Sequence, residues 1–305
     1  MKKKNFIITV DTEGDNLWDY KPGTPITTEN TRFLPRFQAL CNEYGFKTVY
    51  LTNYEMASDA NFVKMASGWC NSRGCEIGLH LHAWNNPPFY QLKGQYNYNP
   101  YLIEYPDEIM REKFKIIHDL LCNSFGTPIL SHRAGRWAMD DRYFRILSEF
   151  GIKVDCSVTP GIDWSHNVGI TRGGSDYTHS CKEPYWINEI LEVPMTIRSV
   201  HHSKEGSFKH KIKTLIKGDT VWLRPASQSL LMMKKLVDVV EQEQKTDYLE
   251  FMIHSSELMP GGSPYFKTAE SIDILYDTFR QLFDYVSRKG YVGSTLKEYH
   301  QNFIK

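Results

Sequence analysis

The sequence predicts an α/β protein: a distorted (β/α) barrel with seven or eight parallel strands, formed by one domain over residues 1–305. Short apolar runs of strand length alternate with longer segments of helical periodicity, which is typical of parallel βαβ units. Polar residues that can bind metals or transfer protons follow several of these strands, and the carboxyl ends of barrel strands form the active-site face. A length of 305 residues fits one domain, because α/β barrels often reach this size.

The first half of the chain alternates regularly between strands and helices. Strands are predicted at 6–10, 48–51, 76–81, 128–131 and 152–156. Helices are predicted at 30–44, 54–73, 107–124 and 140–150, where apolar residues recur at helical spacing. The long segment 83–106, rich in Asn, Pro and Tyr, is predicted to be a loop, and loops of this length in compact enzymes are usually functional or disordered.

Regularity fails at 159–200, where Gly, Ser, Asn and aromatic residues dominate. We interpret that segment as an irregular insertion with a few short strands. Beyond it, strands are predicted at 220–224, 248–254 and 291–293, and helices at 228–244 and 269–288. No internal repeat or linker divides the chain, which supports a single catalytic domain.

Composition narrows the class of function. Lys and Arg together number 36, as do Asp and Glu, and the resulting zero net charge argues against nucleic acid or an anionic membrane as the main partner. The apolar run after the basic N-terminus is too short for a signal peptide and ends at Asp11, and no stretch is long enough to span a membrane. The six cysteines form no CxxC pair, so free thiols in a reducing cytoplasm are expected.

Two short motifs close predicted strands and carry pairs of functional side chains. Asp11 and Glu13 end the first strand, and His80 and His82 end the third. Residues at i and i+2 of an extended segment share a face, so each pair can present its side chains together. Two imidazoles and a carboxylate, with one position left for water, describe a catalytic divalent-metal site. Together the motifs predict a metallohydrolase.

Later strand ends add further polar residues. They are His132 and Arg133, Asp155 and Ser157, and His254. A single histidine at a strand end is more often structural than catalytic. Five strand ends that carry acids, imidazoles and a guanidinium favour one shared active site.

The segments 9–14, 76–82, 155–157 and 252–254, together with Arg133, resemble in order and spacing the five motifs of the polysaccharide deacetylase family. These NodB-homology proteins, carbohydrate esterase family four, are metal-dependent esterases that remove N- or O-acetyl groups from sugars. Their domain is a distorted (β/α) barrel, which agrees with the periodicity. The stretches 80–88 and 254–258 look like the WalW-like branch of this family.

The resemblance implies distinct roles for the residues of the two motifs. Asp11 matches the catalytic base, and Glu13 matches the metal-binding acid, with one residue inserted. His80 matches the first metal-binding histidine; the second normally follows four residues later, where this chain has Trp84, so His82 is the nearest substitute. Glu13, His80 and His82 would hold one divalent ion, for which zinc suits the ligand set best and cobalt, nickel or manganese are alternatives.

Two further residues complete the implied catalytic set. Arg133 matches the arginine that orients the base, and its charge favours the ionised form of Asp11. His254 matches the general acid, which donates a proton to the departing amine or hydroxyl.

Four residues are predicted to contact the substrate, a carbohydrate or another small acylated molecule. Trp84 and Trp137 can stack on sugar rings, with core packing as the alternative. Arg136 can bind an anionic group such as a uronic acid, although surface ion pairing is the simpler account. Asp155 lies in the family's fourth motif, which lines the pocket.

Two other functions stay open on the sequence. Some relatives with the Asp-x-acid spacing hydrolyse cyclic imides or ureides, and that function requires a small closed pocket lined by the loop 83–106. A deacetylase instead requires an aromatic groove open to a glycan. A non-catalytic carbohydrate-binding protein on a degenerate deacetylase scaffold is the third possibility, favoured by Trp84 in place of the second histidine.

Overall fold

The computed structural model describes residues 3–21, 23–95, 98–201 and 218–304. The strands of this part are β1 Lys4–Thr12, β2 Thr48–Thr52, β3 Cys75–Leu81, β4 Ser131–Ala134, β5 Val154–Asp155, β6 Tyr185–Ile187, β7 Ile190–Glu192, β8 Ile197–Val200, β9 Asp219–Trp222, β10 Tyr248–His254 and β11 Tyr291–Gly293. Its α-helices are α1 Leu34–Glu43, α2 Tyr54–Ser58, α3 Ala60–Asn71, α4 Asp107–Phe125, α5 Asp141–Glu149, α6 Leu230–Glu243, α7 Ala269–Arg288 and α8 Leu296–Phe303.

The main sheet confirms the predicted α/β class and its parallel strands. Nine strands follow the order β10-β1-β2-β3-β4-β5-β7-β6, with β11 beside β1. Every pair is parallel except β6 with β7, so seven strands run parallel along the sheet and β11 is the eighth. Strands covered on both faces by helices and core are buried almost throughout, as β1, β2 and β3 are.

The sheet curls into a half-barrel, and no strand ladder of the described residues joins its two edges. A separate two-stranded sheet, β8 with β9, is linked to β10 by an isolated backbone hydrogen bond just beyond the end of β9. The amide of Leu223 donates to the carbonyl of Thr196 at 3.1 Å, and the amide of Met252 donates to the carbonyl of Leu223 at 3.1 Å. This interrupted closure is the distortion that the predicted barrel class includes.

The first strand shows how the two faces of the sheet differ. Phe6, Ile8 and Val10 belong to the large apolar core, where Phe6 packs against Phe283 of α7. Ile7 belongs to a second apolar cluster on the opposite face. Because side chains alternate along a strand, Asp11 continues the face of Ile7. That face is therefore apolar near the start of the strand and polar at its carboxyl end, where the functional residues lie.

Pairing between strands sets those functional residues side by side. Asp11 of β1 is in register with His254 of β10, and His80 of β3 is in register with Arg133 of β4. The strands are neighbours in the sheet although the residues are far apart in sequence. Parallel pairing thus collects four predicted site residues at one edge of the sheet.

Several predicted elements differ from the structure in their bounds, and two of the differences have a clear local cause. The predicted helix 54–73 is divided into α2 and α3, because Asp59 leaves the helical conformation and its carboxylate accepts hydrogen bonds from the first amides of α3. The predicted strand 128–131 is wrong by three residues, since β4 spans Ser131–Ala134 and carries Arg133 inside the strand. Pro128 cannot donate to a strand ladder, which favours the later start.

The C-terminal half contains elements that the sequence interpretation missed. The segment 159–200 was predicted to be irregular with a few short strands, and it contains β6, β7 and β8; the place of β7 as a parallel strand of the main sheet was not predicted. Helix α8 was not predicted, although Thr295 and Glu298 form a capping box at its start. Residues 83–106 lack regular structure apart from one short 3-10 turn, as far as they are described.

All six cysteines are free, and Cys41, Cys75 and Cys156 are buried. Among the residues described, no helix combines the length and the apolar character that crossing a membrane requires.

Candidate metal centre and active site

Glu13, His80 and His82 form one compact group of potential metal ligands. Glu13 Oε2 lies 2.7 Å from His82 Nε2 and 3.6 Å from His80 Nε2, and the two Nε2 atoms are 3.1 Å apart. All three side chains are buried. Ligand atoms of a tetrahedral ion bound at ~2.0–2.2 Å are roughly 3.4 Å from each other, so this spacing fits a single small ion.

The two histidines are held in different ways. His80 Nδ1 is 2.9 Å from the backbone carbonyl of Arg133, which fixes the ring and leaves Nε2 facing Glu13. His82 Nδ1 is buried and has no hydrogen-bond partner among the residues described. The ring of His82 instead packs beside Trp84 and against Gly135, where an added Cβ would come within 2.7 Å of Nδ1.

Glu13 is fixed through its backbone. Asn30 Nδ2 donates to the Glu13 carbonyl at 2.7 Å, and the Ser255 hydroxyl lies 3.1 Å from both the amide and the carbonyl of Glu13. Burial raises the pKa of Glu13, but hydrogen bonds from His80 and His82 outweigh burial and hold this pKa below its ordinary value. The carboxylate is therefore ionised, the form that binds a cation.

Electrostatics also favour the metal-binding form of His82. Burial lowers its pKa below the ordinary histidine value, and this effect exceeds the opposing influence of Glu13. A neutral imidazole is the form that ligates a metal, so the site does not have to lose a proton at this residue at neutral pH.

Asp11 lies beside this group and is paired with a buried arginine. Arg133 Nη1 donates to Asp11 Oδ1 at 2.5 Å, while Nη2 contacts Glu250 and donates to the Thr9 hydroxyl at 2.9 Å. Arg133 and Glu250 are fully buried. Burial raises the pKa of Asp11, but Arg133, His80 and His254 together outweigh burial, so the pKa lies below its ordinary value. Asp11 is thus an ionised, oriented carboxylate.

His254 faces the same carboxylates from β10. Its Nε2 lies 3.9 Å from Asp11 Oδ2 and 3.9 Å from Glu13 Oε1, and its Nδ1 is 3.3 Å from Glu257 Oε2. Burial lowers the pKa of His254, but the hydrogen bond with Glu257 and the nearby negative charges outweigh burial and raise it above the ordinary value. Trp18 packs edge-on against the ring at 4.9 Å.

These groups line a cavity of about 360 Å³ that is open to solvent. Among the predicted substrate contacts, Trp84, Arg136 and Trp137 line this cavity beside the catalytic candidates. Trp164 and Tyr265 line it as well.

Asp155 differs from the other predicted contacts because it does not line the cavity. It is fully buried, and its carboxylate lies 2.6 Å from His132 Nδ1 and accepts a hydrogen bond from the Ser157 hydroxyl at 2.8 Å. Ser157 in turn receives the amide of Ala134 at 2.8 Å. In place of the predicted substrate contact, Asp155 supports the end of β4 from behind.

Several site residues were missed by the sequence interpretation. Glu250 and Glu257 are the partners of Arg133 and His254, and Trp18, Asn99, Tyr101 and Asn167 line the cavity. The position of Glu257, three residues after His254, was a usable signal, since the two form a capping box.

Comparisons with known proteins support the fold. No protein-family model matches the sequence, and no curated protein matches it. A provisionally assigned glycoside hydrolase/deacetylase from Parabacteroides distasonis is similar over 99% of this chain and 71% of its own, at 12% identity and a TM-score of 0.64. A GH57 branching enzyme from Thermococcus kodakaraensis matches 99% of this chain and 72% of its own, at 11% identity and a TM-score of 0.56.

A provisionally assigned polysaccharide deacetylase from Mycobacterium smegmatis also matches, over 97% of this chain and 94% of its own, at 13% identity and a TM-score of 0.47. The likeness to the first two structures places this chain in the curled α/β half-barrel fold that deacetylases and glycoside hydrolases adopt.

Proposed function

We propose that this protein is a metal-dependent carbohydrate deacetylase of the WalW-like branch, which hydrolyses N- or O-acetyl groups on a sugar. The observation that carries the proposal is the meeting of two sets of groups in one cavity. A Glu13–His80–His82 ligand group lies beside the ionised Asp11 and a histidine able to donate a proton. The free cysteines support a reducing, cytoplasmic location.

The donor set fits a divalent ion, with zinc first and cobalt, nickel or manganese as alternatives. Glu13, His80 and His82 would hold the ion, because their three donor atoms converge while His80 is anchored through its other nitrogen. A bound divalent ion supplies Lewis acidity: it makes water more acidic and polarises a carbonyl.

Asp11 is the proposed general base. Its Oδ1 is committed to Arg133, whereas Oδ2 faces His254 and the cavity. A carboxylate that is already ionised and held by a buried guanidinium can accept the proton of an attacking water without first losing its own. Arg133 acts as a positioning residue, because it holds Asp11 but does not itself line the cavity.

His254 is the proposed general acid. Its Nδ1 is engaged by Glu257, so the proton on Nε2 points toward the carboxylates and the cavity. Donation from Nε2 to the departing amine or hydroxyl lets the carbon–nitrogen or carbon–oxygen bond break without forming an unstable anion. The raised pKa of His254 favours the protonated form that this role requires.

The shape of the site favours a glycan over a cyclic amide or ureide. The catalytic cavity is open, and it shares Trp84, Asn99 and Arg136 with a larger neighbouring cavity of about 870 Å³. A small closed pocket is what a cyclic substrate would require. Trp84 and Trp137 lie where they can stack on a sugar ring bound over the catalytic groups.

The test combines metal analysis with acetate release. Purified protein is expected to retain about one equivalent of divalent ion and to release acetate from N-acetylated or O-acetylated oligosaccharides. His80→Ala should lose both properties, whereas His166→Ala, whose side chain is 90% exposed, should retain both. If the protein holds no stoichiometric ion and His80→Ala changes nothing, the protein is not a metallohydrolase, and the non-catalytic alternative is correct.

A further inference from the structure

A second cavity adjoins the catalytic one and is larger. It has a volume of about 870 Å³ and shares Trp84, Asn99 and Arg136 with the catalytic cavity. Most of its wall comes from the loop that follows His82. A chain-like ligand bound over the catalytic groups would therefore continue into this cavity, which we call the side groove.

The side groove carries aromatic rings that the core does not use. Phe89, Tyr90 and Tyr98 are 77%, 43% and 57% exposed, respectively, and all three line the side groove. We call these three rings the aromatic wall. Large exposed apolar groups gathered in one concave surface are typical of a binding site. Planar rings with polar edges suit the apolar faces and hydroxyl groups of sugars.

A buried lysine of α4 anchors the loop that carries the aromatic wall. Lys113 Nζ donates to the carbonyls of Ala83 at 2.9 Å, Asn86 at 2.6 Å and Pro88 at 2.6 Å. All three N–H groups of the ammonium are thereby used on the loop that carries Trp84 and Phe89. The wall is held in place before any ligand arrives, so little ordering cost falls on binding.

The charge of the side groove is positive. Among the described residues that line it, Lys113 and Arg136 are cationic and none is acidic. Arg136 stacks on the ring of Tyr101 at 3.9 Å and donates to the backbone carbonyls of Asn99 and Val168. No carboxylate of the described chain lies within ion-pair distance of its guanidinium.

Glu104 acts electrostatically on Arg136 but does not neutralise it by contact. The Glu104 carboxylate is used by the amides of Tyr101, Ile170 and Thr171. Arg136 also has φ = 57°, in the left-handed region that costs a non-glycine residue free energy. At the junction of the two cavities, the local fold thus holds a guanidinium that is paired with no carboxylate of the described chain. If Arg136 served only to form a surface ion pair, this left-handed backbone conformation would not be needed.

We infer that the side groove binds the neighbouring units of an anionic glycan, with an acidic sugar against Arg136 and sugar rings on the aromatic wall. A carboxylate of a uronic acid can accept paired hydrogen bonds from a guanidinium. The assignment rests on the proposed function for the place of the acetylated sugar, in the catalytic cavity. It makes the substrate class an acidic polysaccharide segment rather than a neutral one.

The experiment compares two tetrasaccharides of equal length binding to the intact protein. Hyaluronan tetrasaccharide carries alternating uronic acids, and tetra-N-acetylchitotetraose carries none. Calorimetry measures binding, and mass spectrometry of the recovered sugar scores acetyl loss separately. The acidic tetrasaccharide is expected to bind about tenfold more tightly, with a preference that weakens as salt rises. Arg136→Gln should abolish the preference and change affinity for the neutral sugar less than twofold.

Three controls make the result decisive. Arg145→Gln alters an exposed arginine of α5 outside both cavities and should leave binding unchanged. Phe89→Ala should lower the affinity for both sugars several-fold, because a stacking ring is lost. The ring is exposed, so its loss does not disturb the core. UDP-N-acetylglucosamine tests whether the site binds a nucleotide sugar, whose negative charge is on the diphosphate, instead of an acidic polysaccharide.

The outcomes are distinguishable from those of the proposed function. If the acidic tetrasaccharide binds in a way that depends on Arg136 but loses no acetyl group, the inference about the side groove is supported and the proposed deacetylation is wrong. Equal binding of the two tetrasaccharides, or an Arg136→Gln variant that keeps the acidic preference, overturns the inference. Tight binding of the nucleotide sugar with none of the acidic tetrasaccharide also overturns it.

Discussion

The ring of Trp84 lies against that of His82, with the ring centroids 4.3 Å apart and the planes at 55°. Trp84 occupies the position where the resembled family has its second metal-binding histidine, and here it packs on His82, the residue proposed to take the place of that histidine. Since His82 Nδ1 has no hydrogen-bond partner among the residues described, packing replaces the usual outer hydrogen bond of a metal-binding histidine. Trp84 on one side and Gly135 on the other hold His82 toward Glu13.

Gly135→Ala should therefore lower metal affinity. The added Cβ would lie 2.4 Å from the Leu81 carbonyl and 2.7 Å from His82 Nδ1, so the imidazole must move away from Glu13. A misplaced ligand or supporting contact typically costs 10–100-fold in affinity, and we expect about tenfold or more, measured by competition with a chromophoric chelator. Gly68→Ala is the matched control, because nothing lies within 4 Å of its added Cβ. Equal affinities in the two variants would show that packing at Gly135 does not position His82.

Arg133→Lys should reduce both stability and kcat. One guanidinium contacts Asp11, Glu250 and Thr9 at once, and a single ammonium cannot reach all three. Breaking a buried ion pair typically costs about 3–5 kcal/mol, and we expect a loss of that order in the free energy of unfolding, measured with urea.

The control for Arg133→Lys is Arg111→Lys, which alters an exposed arginine whose Nε and Nη2 both contact the Glu149 carboxylate. An exposed pair contributes little, so its free energy of unfolding should change by less than about 0.5 kcal/mol. A similar loss in both variants would mean that Arg133 contributes no more than a surface pair, and its assignment as the residue that positions Asp11 would fail.

The residues that could be predicted from sequence share one property. Asp11, Glu13, His80 and His254 stand at or just beyond the carboxyl ends of parallel strands, and one rule about such sheets brings them together. Their local pattern was sufficient, because the periodicity of the strands and helices was strong. The fold class followed from the same periodicity.

The residues that could not be predicted depend on distant partners. Glu250 lies in β10 between the apolar residues Leu249 and Phe251, and its partner Arg133 is 117 residues away. Asp155 also ends a strand, but β5 has only two residues, and the neighbouring His132 takes its carboxylate away from the cavity. Such pairs form between residues of different strands once the sheet is assembled, so the local sequence around either residue does not indicate them.

The pH dependence of activity should report His254. The pKa of His254 is raised above the ordinary histidine value, so this residue keeps its proton to higher pH than an ordinary histidine. The pKa of Asp11 is lowered, so the base stays ionised down to acidic pH. We expect kcat/KM to be high between these limits and to fall at alkaline pH, as His254 loses its proton.

Glu257→Gln should move that alkaline limit to lower pH. It removes the negative charge 3.3 Å from His254 Nδ1 and leaves Arg224 without its carboxylate partner, and both changes lower the pKa of His254. The control is Glu43→Gln, which removes an exposed carboxylate paired with Arg280 far from the cavity and should leave the profile unchanged. An alkaline limit that does not move in Glu257→Gln would assign it to a group other than His254.

Lys113→Met should destabilise the protein and loosen the loop that carries Trp84 and Phe89. Lys113 is 1% exposed, and burial lowers its pKa to about 8, so at neutral pH it is still an ammonium with three donors. Methionine fills a similar volume but leaves the three carbonyls of the loop without donors. Each unsatisfied buried group costs about 1–3 kcal/mol, so we expect a loss of about 3 kcal/mol or more in the free energy of unfolding.

Lys115→Met is the matched control, because Lys115 is exposed on the same helix and pairs only with Asp119, and its free energy of unfolding should change by less than about 0.5 kcal/mol. Hydrogen exchange should accelerate at 83–88 in Lys113→Met alone, because that segment loses its anchor while α4 remains. Unchanged exchange at 83–88, or equal stability losses in the two variants, would mean that packing of the loop rather than Lys113 fixes the aromatic wall. In that case Trp84 would hold its place beside His82 without help from α4.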